Sequence, residues 1–222
     1  MDPNQIAEHF SDIYVKLFNN VQDDKNLDLV EKKIEDKVFE SSYSSLWRVN
    51  EDTVRSAVNS LKSDKKDSVF SVTSDMYKSS PSAFIKHLTN ILRGSLIHSA
   101  IPHAVLLCSL MPLVKDNLGD ITKSSNYRAI AGGCLILKVL DLLILEIESE
   151  KLSTDCLQFA YKPDSGTASC SWMVTLVVDY FTRNGKTVFG PALDMSKAFD
   201  MVKWSELFSS LIERGINPIF LR

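Results

Sequence analysis

Apolar residues recur at helical spacing in several long segments of the chain. The stripe formed by Ile6, Phe10, Ile13 and Leu17 predicts a helix over residues 4–20. Residues 21–50 are polar and acidic, and they predict a connector that contains one short helix. Similar stripes, with Asn50 as a cap and Ser80-Pro81 as a start signal, predict further helices at residues 50–61, 81–96, 134–150, 168–183 and 203–214.

The periodicity changes beyond Ile101, where β-prone segments alternate with turn signals. Residues 104–115 predict a strand that enters a hairpin-like loop, and residues 126–130 predict the returning strand. Further along, the pattern predicts a short extended element, a turn and a strand, at residues 158–161, 162–167 and 186–194. The order of these elements predicts a helix-rich α/β fold of the α+β type.

Composition places the chain among ordinary globular proteins, with 45% hydrophobic and 24% charged residues over a length of 222. The net charge of −3 argues against a uniformly basic nucleic-acid binder. The acidic excess lies in residues 1–60, which have 12 acidic and 7 basic side chains, whereas residues 61–222 have 16 and 18. The charge distribution therefore permits nucleic-acid binding by residues 61–222.

Cysteine and histidine residues give no sign of a metal site or a disulfide framework. Cys108, Cys134, Cys156 and Cys170 are 26, 22 and 14 residues apart, which matches neither zinc-ligand spacing nor a small secreted scaffold. The N-terminus has no signal-peptide pattern, and the most apolar stretch, 135–147, is too short to span a bilayer. We therefore expect a soluble intracellular protein with no membrane contact, and nucleus and cytoplasm are not distinguished.

The densest chemical pattern lies at residues 187–200, where a β-prone run ends in Asp194 and a second acid, Asp200, follows six residues later. A carboxylate at the end of a strand is suited to holding Mg²⁺, which prefers oxygen ligands and keeps positions open for substrate phosphates. Phe199 adds a flat apolar surface beside this pattern. The alternative is that Asp194 caps the following turn and Asp200 is a solvated surface acid.

The segment Leu-Asp-Met-Ser-Lys-Ala-Phe-Asp at residues 193–200 resembles the first catalytic motif of reverse transcriptases from non-LTR (LINE-type) retrotransposons. The resemblance implies that Asp194 is the catalytic aspartate that binds both Mg²⁺ ions, and that Met195 contributes its backbone carbonyl. It also implies that Phe199 screens the 2′ side of the incoming nucleotide and so favours deoxyribose.

Other landmarks of the same family occur in the same order. Lys115 followed by Asn-Tyr-Arg-Ala-Ile at residues 126–130 looks like the fingers strands, and residues 158–167 look like the family's Gln-x-Gly-Phe-Arg-x-Gly-x-x-Thr segment. By this resemblance Lys115 and Arg128 grip the triphosphate of a dNTP. Template and nucleotide would be positioned by Gln158, Lys162 and Gly166. The alternative for the basic pair is a solvated lysine and an arginine that pairs with Asp116 or Asp120.

The resemblance implies the fingers and partial palm of a right-hand polymerase over residues 48–222, preceded by a helical, acidic extension at 1–47. Implied partners are an RNA template, a DNA primer and dNTPs, with two Mg²⁺ ions as cofactor. The family's Tyr-x-Asp-Asp segment does not occur in the sequence, and Ala129, Ala160 and Lys162 depart from the family pattern. The expectation is therefore a reverse-transcriptase domain that does not polymerise by itself, or a non-catalytic derivative that binds RNA or protein.

Overall fold

The computed structural model describes residues 2–19, 24–40, 46–195, 198–199 and 201–222. The helices are α1 (Pro3–Asn19), α2 (Leu27–Glu40), α3 (Glu51–Asn59), α4 (Ser74–Lys78), α5 (Ser82–His98), α6 (His103–Leu106), α7 (Leu135–Ile147), α8 (Thr167–Arg183) and α9 (Trp204–Glu213). Two strands, β1 (Ser109–Val114) and β2 (Tyr127–Gly132), form one sheet. The fold is thus helix-rich and α+β, as the sequence predicts.

The described residues divide into two compact units. One is made of Met1–Lys151 and Phe199–Arg222, and the other is Leu152–Ala198. The domain boundary at residue 47 that the sequence resemblance implies lies within the first unit, and it stays a prediction. No helix in the described ranges combines the length and the apolar character needed to cross a membrane.

The main core of the first unit lies where α3, α5 and α7 pack together. Its most buried side chains come from all three helices and their flanks, and they are Val49, Val54, Val58, Ile85, Leu92, Val139 and Leu143. Helix α3 begins where the sequence predicts, because the Asn50 side chain accepts hydrogen bonds from the backbone N–H groups of Asp52 and Thr53 at 3.0 and 3.1 Å. In return, the Thr53 hydroxyl accepts from the Asn50 N–H at 3.0 Å.

The predicted hairpin is confirmed, with a shorter first strand. β1 and β2 are antiparallel, with Leu113 opposite Arg128 and Pro112 opposite Ala129. Residues 103–106 form one helical turn instead of the start of the strand, because Pro102 lies at the N-cap position of α6 and fixes its own φ at −55°. The register leaves a loop at 115–126 that connects the two strands.

Asp67 joins the base of this hairpin to the main core. Its carboxylate is 3% exposed and accepts hydrogen bonds at 2.7 Å from the backbone N–H groups of Val69, Phe70 and Leu135. Leu135 is the first residue of α7, and the residue at the helix N-cap, Cys134, provides no side-chain cap. Asp67 therefore caps α7 from 68 residues away in sequence.

A second, smaller core involves the N-terminal part of the chain. Helix α2 is longer than the short helix predicted for residues 21–50, and it packs on α9 and on the 3-10 turn Pro218–Phe220. Its inner stripe is Val30, Ile34 and Val38, which recur every four residues. These side chains contact Phe208, Ile212 and Leu221.

Two predictions for the second unit are wrong. Residues 186–194 form no strand, because no described segment pairs with them and an unpaired β-prone run lacks the ladder that defines a strand. Residues 158–161 form no strand, and Ala160 and Tyr161 lie in a turn. Tyr161 has a φ of 59° and Asp164 a φ of 54°, and these left-handed conformations reverse the chain.

Asp67→Ala should lower the free energy of unfolding by about 3 kcal/mol, because it leaves α7 without its cap and removes hydrogen bonds to a charged group. Burial acts to raise the pKa of Asp67, but the N–H donors of Phe70, Leu135 and Val69 outweigh it and hold that pKa below its ordinary value. Because the folded pKa is depressed, the stabilisation is present above the ordinary value of about 3.9 and is lost as the pH falls below it.

Urea denaturation of the wild type, Asp67→Ala, Asp67→Asn and Asp141→Ala between neutral and acidic pH measures both effects. Asp141 lies on the exposed side of α7 and pairs with Lys138 at 3.6 Å, so its removal should change stability by less than about 0.5 kcal/mol. The wild type and Asp67→Asn should converge in stability as the pH falls. A constant difference between them down to acidic pH would contradict the depressed pKa.

Candidate functional site

One face of the hairpin brings the two predicted phosphate-binding residues together. Paired residues of antiparallel strands project to the same side, and alternate residues along a strand do so as well. Leu113 and its partner Arg128 therefore share a face with Met111, Lys115 and Ile130. We call this set the hairpin face. Lys115 and Arg128 are diagonal neighbours on it, and all five side chains are exposed.

The hydrogen bonds of the two cations differ. Lys115 donates through Nζ to the backbone oxygen of Ser125 at 2.9 Å, which ties its side chain to the end of the loop. The Arg128 side chain makes no hydrogen bond or ion pair within the ranges that the structure describes. The alternative pairing of Arg128 with Asp116 or Asp120 is not formed. Asp120 instead lies 3.6 Å from Lys123, and Asp116 accepts from the N–H of Leu118.

Asn126 shapes the loop that lies between the strands. Its side-chain oxygen accepts from the Asp116 N–H at 3.1 Å, and its side-chain nitrogen donates to the Asp116 oxygen at 2.9 Å. The backbone oxygen of Asn126 also accepts from the Lys115 N–H at 2.8 Å. Sequence reasoning treated Asn126 only as part of a motif. The signal that could have indicated these loop hydrogen bonds was an asparagine at the residue that precedes β2.

On the opposite face of the hairpin, Tyr127 and Ala129 are half-buried, while Leu110 and Val114 are exposed. The Tyr127 ring lies 5.0 Å from the ring of Phe10 in α1, edge to face, and the Tyr127 hydroxyl donates to the Ile121 oxygen at 2.9 Å. Tyr127 thus holds the start of β2 against α1, and the hairpin face with its two cations is open to solvent.

The residues around the predicted catalytic aspartate are arranged differently. Asp194 and Met195 lie in an irregular, exposed segment, and Asp194 accepts no hydrogen bond from any residue that the structure describes. Phe199 is 77% exposed. Asp200 lies outside the described residues.

A magnesium centre of the kind that the resemblance implies needs several oxygen ligands in one place. Among the described residues, no three or more His, Cys, Asp or Glu side chains are grouped closely enough to hold a metal ion. The described side chains at Asp194 and Met195 therefore do not fit a two-ion site.

The three predicted positioning residues belong to the same unit as Asp194. Gln158 donates through Nε2 to the Ala160 oxygen at 3.3 Å, and Lys162 donates through Nζ to the Asp155 oxygen. Both side chains thus stabilise the local turn. Gly166 precedes α8 with a φ of 178°, and an added Cβ would meet no atom within 4 Å, so the backbone there does not require glycine.

No protein-family model matches the sequence, and no curated protein matches it. The resemblance to reverse transcriptases thus depends on the ordered sequence motifs and stays a prediction. The sequence-predicted residues fall into two groups by unit. Lys115 and Arg128 lie on the hairpin and Phe199 at the edge of the same unit, whereas Gln158, Lys162, Gly166, Asp194 and Met195 lie in the other.

Asp194→Ala should change the free energy of unfolding by less than about 0.5 kcal/mol, because the carboxylate is exposed and accepts no hydrogen bond from the described residues. Adding millimolar Mg²⁺ should not change the melting temperature of the wild type or of the variant. A metal ion that bound the folded state would raise it. Thermal unfolding with and without Mg²⁺ measures this. A Mg²⁺-dependent rise in the wild type that Asp194→Ala abolishes would show a metal site.

Proposed function

We propose that this chain is a reverse-transcriptase-like domain of a retrotransposon-derived protein, comprising fingers and partial palm, and that its own activity is binding nucleic acid or nucleotide through the hairpin face. The observation that supports the proposal most directly is the pair of exposed cations, Lys115 and Arg128, side by side on a β-hairpin. These are the two residues to which the family resemblance assigns contact with phosphate.

The chemistry of the hairpin face suits a nucleotide. Arg128 offers a planar fork that matches two phosphate oxygens, and its guanidinium has no partner among the described residues that would have to be displaced. Lys115 provides a second positive charge that is already oriented by its bond to Ser125. Met111, Leu113 and Ile130 lie beside the cations and provide an apolar surface for a sugar or a base.

Binding without catalysis is the form of the proposal that the Asp194 segment favours. In the family, two metal ions held by several carboxylates promote phosphoryl transfer. Among the described residues, Asp194 belongs to no group of three or more His, Cys, Asp or Glu side chains that could hold a metal ion. A misplacement of about 1 Å in such a site costs roughly a hundredfold in rate, and a missing ligand should cost more. The second candidate is a non-catalytic derivative that binds RNA or a protein.

Lys115→Ala/Arg128→Ala should weaken binding of a single-stranded RNA oligonucleotide by about a hundredfold, because each of the two charge-assisted hydrogen bonds contributes about 1.5 kcal/mol, or about tenfold. The dependence of log Kd on log salt concentration should become shallower, by about 0.7 for each phosphate that the variant no longer neutralises. Fluorescence anisotropy at several salt concentrations measures both quantities.

Lys123→Ala is the control for general charge, because it removes one positive charge from the same hairpin, at a loop residue that pairs with Asp120. Asp194→Ala is a second control and should bind as the wild type does. Wild-type binding that is undetectable or independent of salt would contradict the proposal. An equal loss of affinity in Lys123→Ala and in the double variant would show a diffuse charge effect instead of a site.

The isolated chain should incorporate no measurable nucleotide in a primer-extension assay with Mg²⁺, template–primer and dNTPs. The physical reason is that no group of three or more metal-ligating side chains forms around Asp194 among the described residues, so two Mg²⁺ ions would lack ligands. Clear incorporation that Asp194→Ala abolishes would show that the chain assembles a working site, and would favour the enzyme over the binding derivative.

A further inference from the structure

Residues 24–40, which we call the N-terminal strap, hold α9 by two kinds of contact. The first is apolar, where Val30, Ile34 and Val38 of α2 cover one face of α9 and the end of the 3-10 turn that follows it. The outer side of α2 is largely charged, as its solvent exposure requires. The strap is therefore an amphipathic helix laid on α9.

The second contact is polar and involves one residue pair. Asp24 accepts hydrogen bonds from the backbone N–H of Ser205 at 2.8 Å and from the Ser205 hydroxyl at 2.8 Å. Ser205 lies in the first turn of α9, and the residue at the helix N-cap, Lys203, provides no side-chain cap. The Ser205 bonds also lower the pKa of Asp24, so the carboxylate is ionised at neutral pH. Asp24 thus supplies a charged cap to α9 from 181 residues away.

The strap and α9 form a core of their own. Their buried side chains make no cluster with the main core of α3, α5 and α7. An open groove of about 450 Å³ also lies between α2 and α9, lined by polar side chains that include Lys33, Ser209 and Glu213. Few buried apolar contacts and nearby solvent are the features of segments that open locally at low free energy.

We infer that the strap and α9 open and close as one cooperative unit while the main core stays folded. The hydrogen bonds from Ser205 to Asp24 stabilise the closed state of this unit. Opening would release the first turn of α9 and expose the apolar side chains of Phe208, Ile212 and Leu221. The turn Pro218–Phe220 would stay anchored, since Ile219 belongs to the main core. The strap thus covers the apolar face formed by Phe208, Ile212 and Leu221, and its opening controls access to that face.

Hydrogen exchange followed by mass spectrometry on the full chain tests this inference. Asp24→Ala should speed exchange of the α2 and α9 amides together by about tenfold, which corresponds to the loss of one strong helix cap. The amides of α3, α5 and α7 should exchange as in the wild type. Asp36→Ala is the matched control, because Asp36 is an exposed acid of α2 that lies beyond its first turn; this variant should not speed exchange of α2 or α9.

Three outcomes would overturn the inference. One is unchanged exchange of α9 in Asp24→Ala, and another is an equal acceleration of α3, α5 and α7. The third concerns hydrogen exchange of the wild type alone at low urea concentrations, a measurement that requires no variant to fold. The amides of α2 and α9 should become exchangeable at one urea concentration, which lies below that for α3 and α7. Separate transitions for α2 and α9 would contradict a single unit.

Discussion

The arrangement of the first unit depends on the hydrogen bonds that the buried carboxylate of Asp67 accepts. A charge at this depth is costly unless it is fully hydrogen-bonded, and three backbone N–H groups at 2.7 Å meet that need. One of them starts α7, and the neighbouring Ser68 hydroxyl donates to the oxygen of Gly132 at the end of β2. The exit of the hairpin and the start of the main buried helix are thus fixed at one point.

This fixed point gives the two ends of the hairpin different roles. At the base, Gly132 has Ser68 so close that an added Cβ would lie 3.1 Å from the Ser68 Cβ. At the other end, Lys115 and Arg128 face solvent. Their surroundings are held by Asn126, by the bond from Lys115 to Ser125 and by the contacts of Tyr127 with Phe10 and Ile121. A rigid base and an exposed end are suited to presenting charge to a ligand.

Local patterns in the sequence predicted the hairpin, most helices and the Asn50 cap, because each depends on residues a few positions apart. Contacts between distant residues could not be predicted in this way. The partners of Asp67 and Asp24 lie 68 and 181 residues away, and no local period indicates them. The regular stripe of α2 was visible, but the charged residues around it favoured a connector. The strand at 186–194 failed because β-propensity becomes a strand only when a partner is present.

The register of the hairpin has a consequence for how the chain meets other chains. The bond from the Lys115 N–H to the Asn126 oxygen sets the alternation, so the paired bonds fall at Leu113 and Met111, and the backbone of Pro112 points outward from β1. Proline has no N–H to offer at that position, so a third strand could not form a continuous ladder there. An exposed apolar hairpin is prone to aggregate edge to edge, and this one residue protects its outer edge.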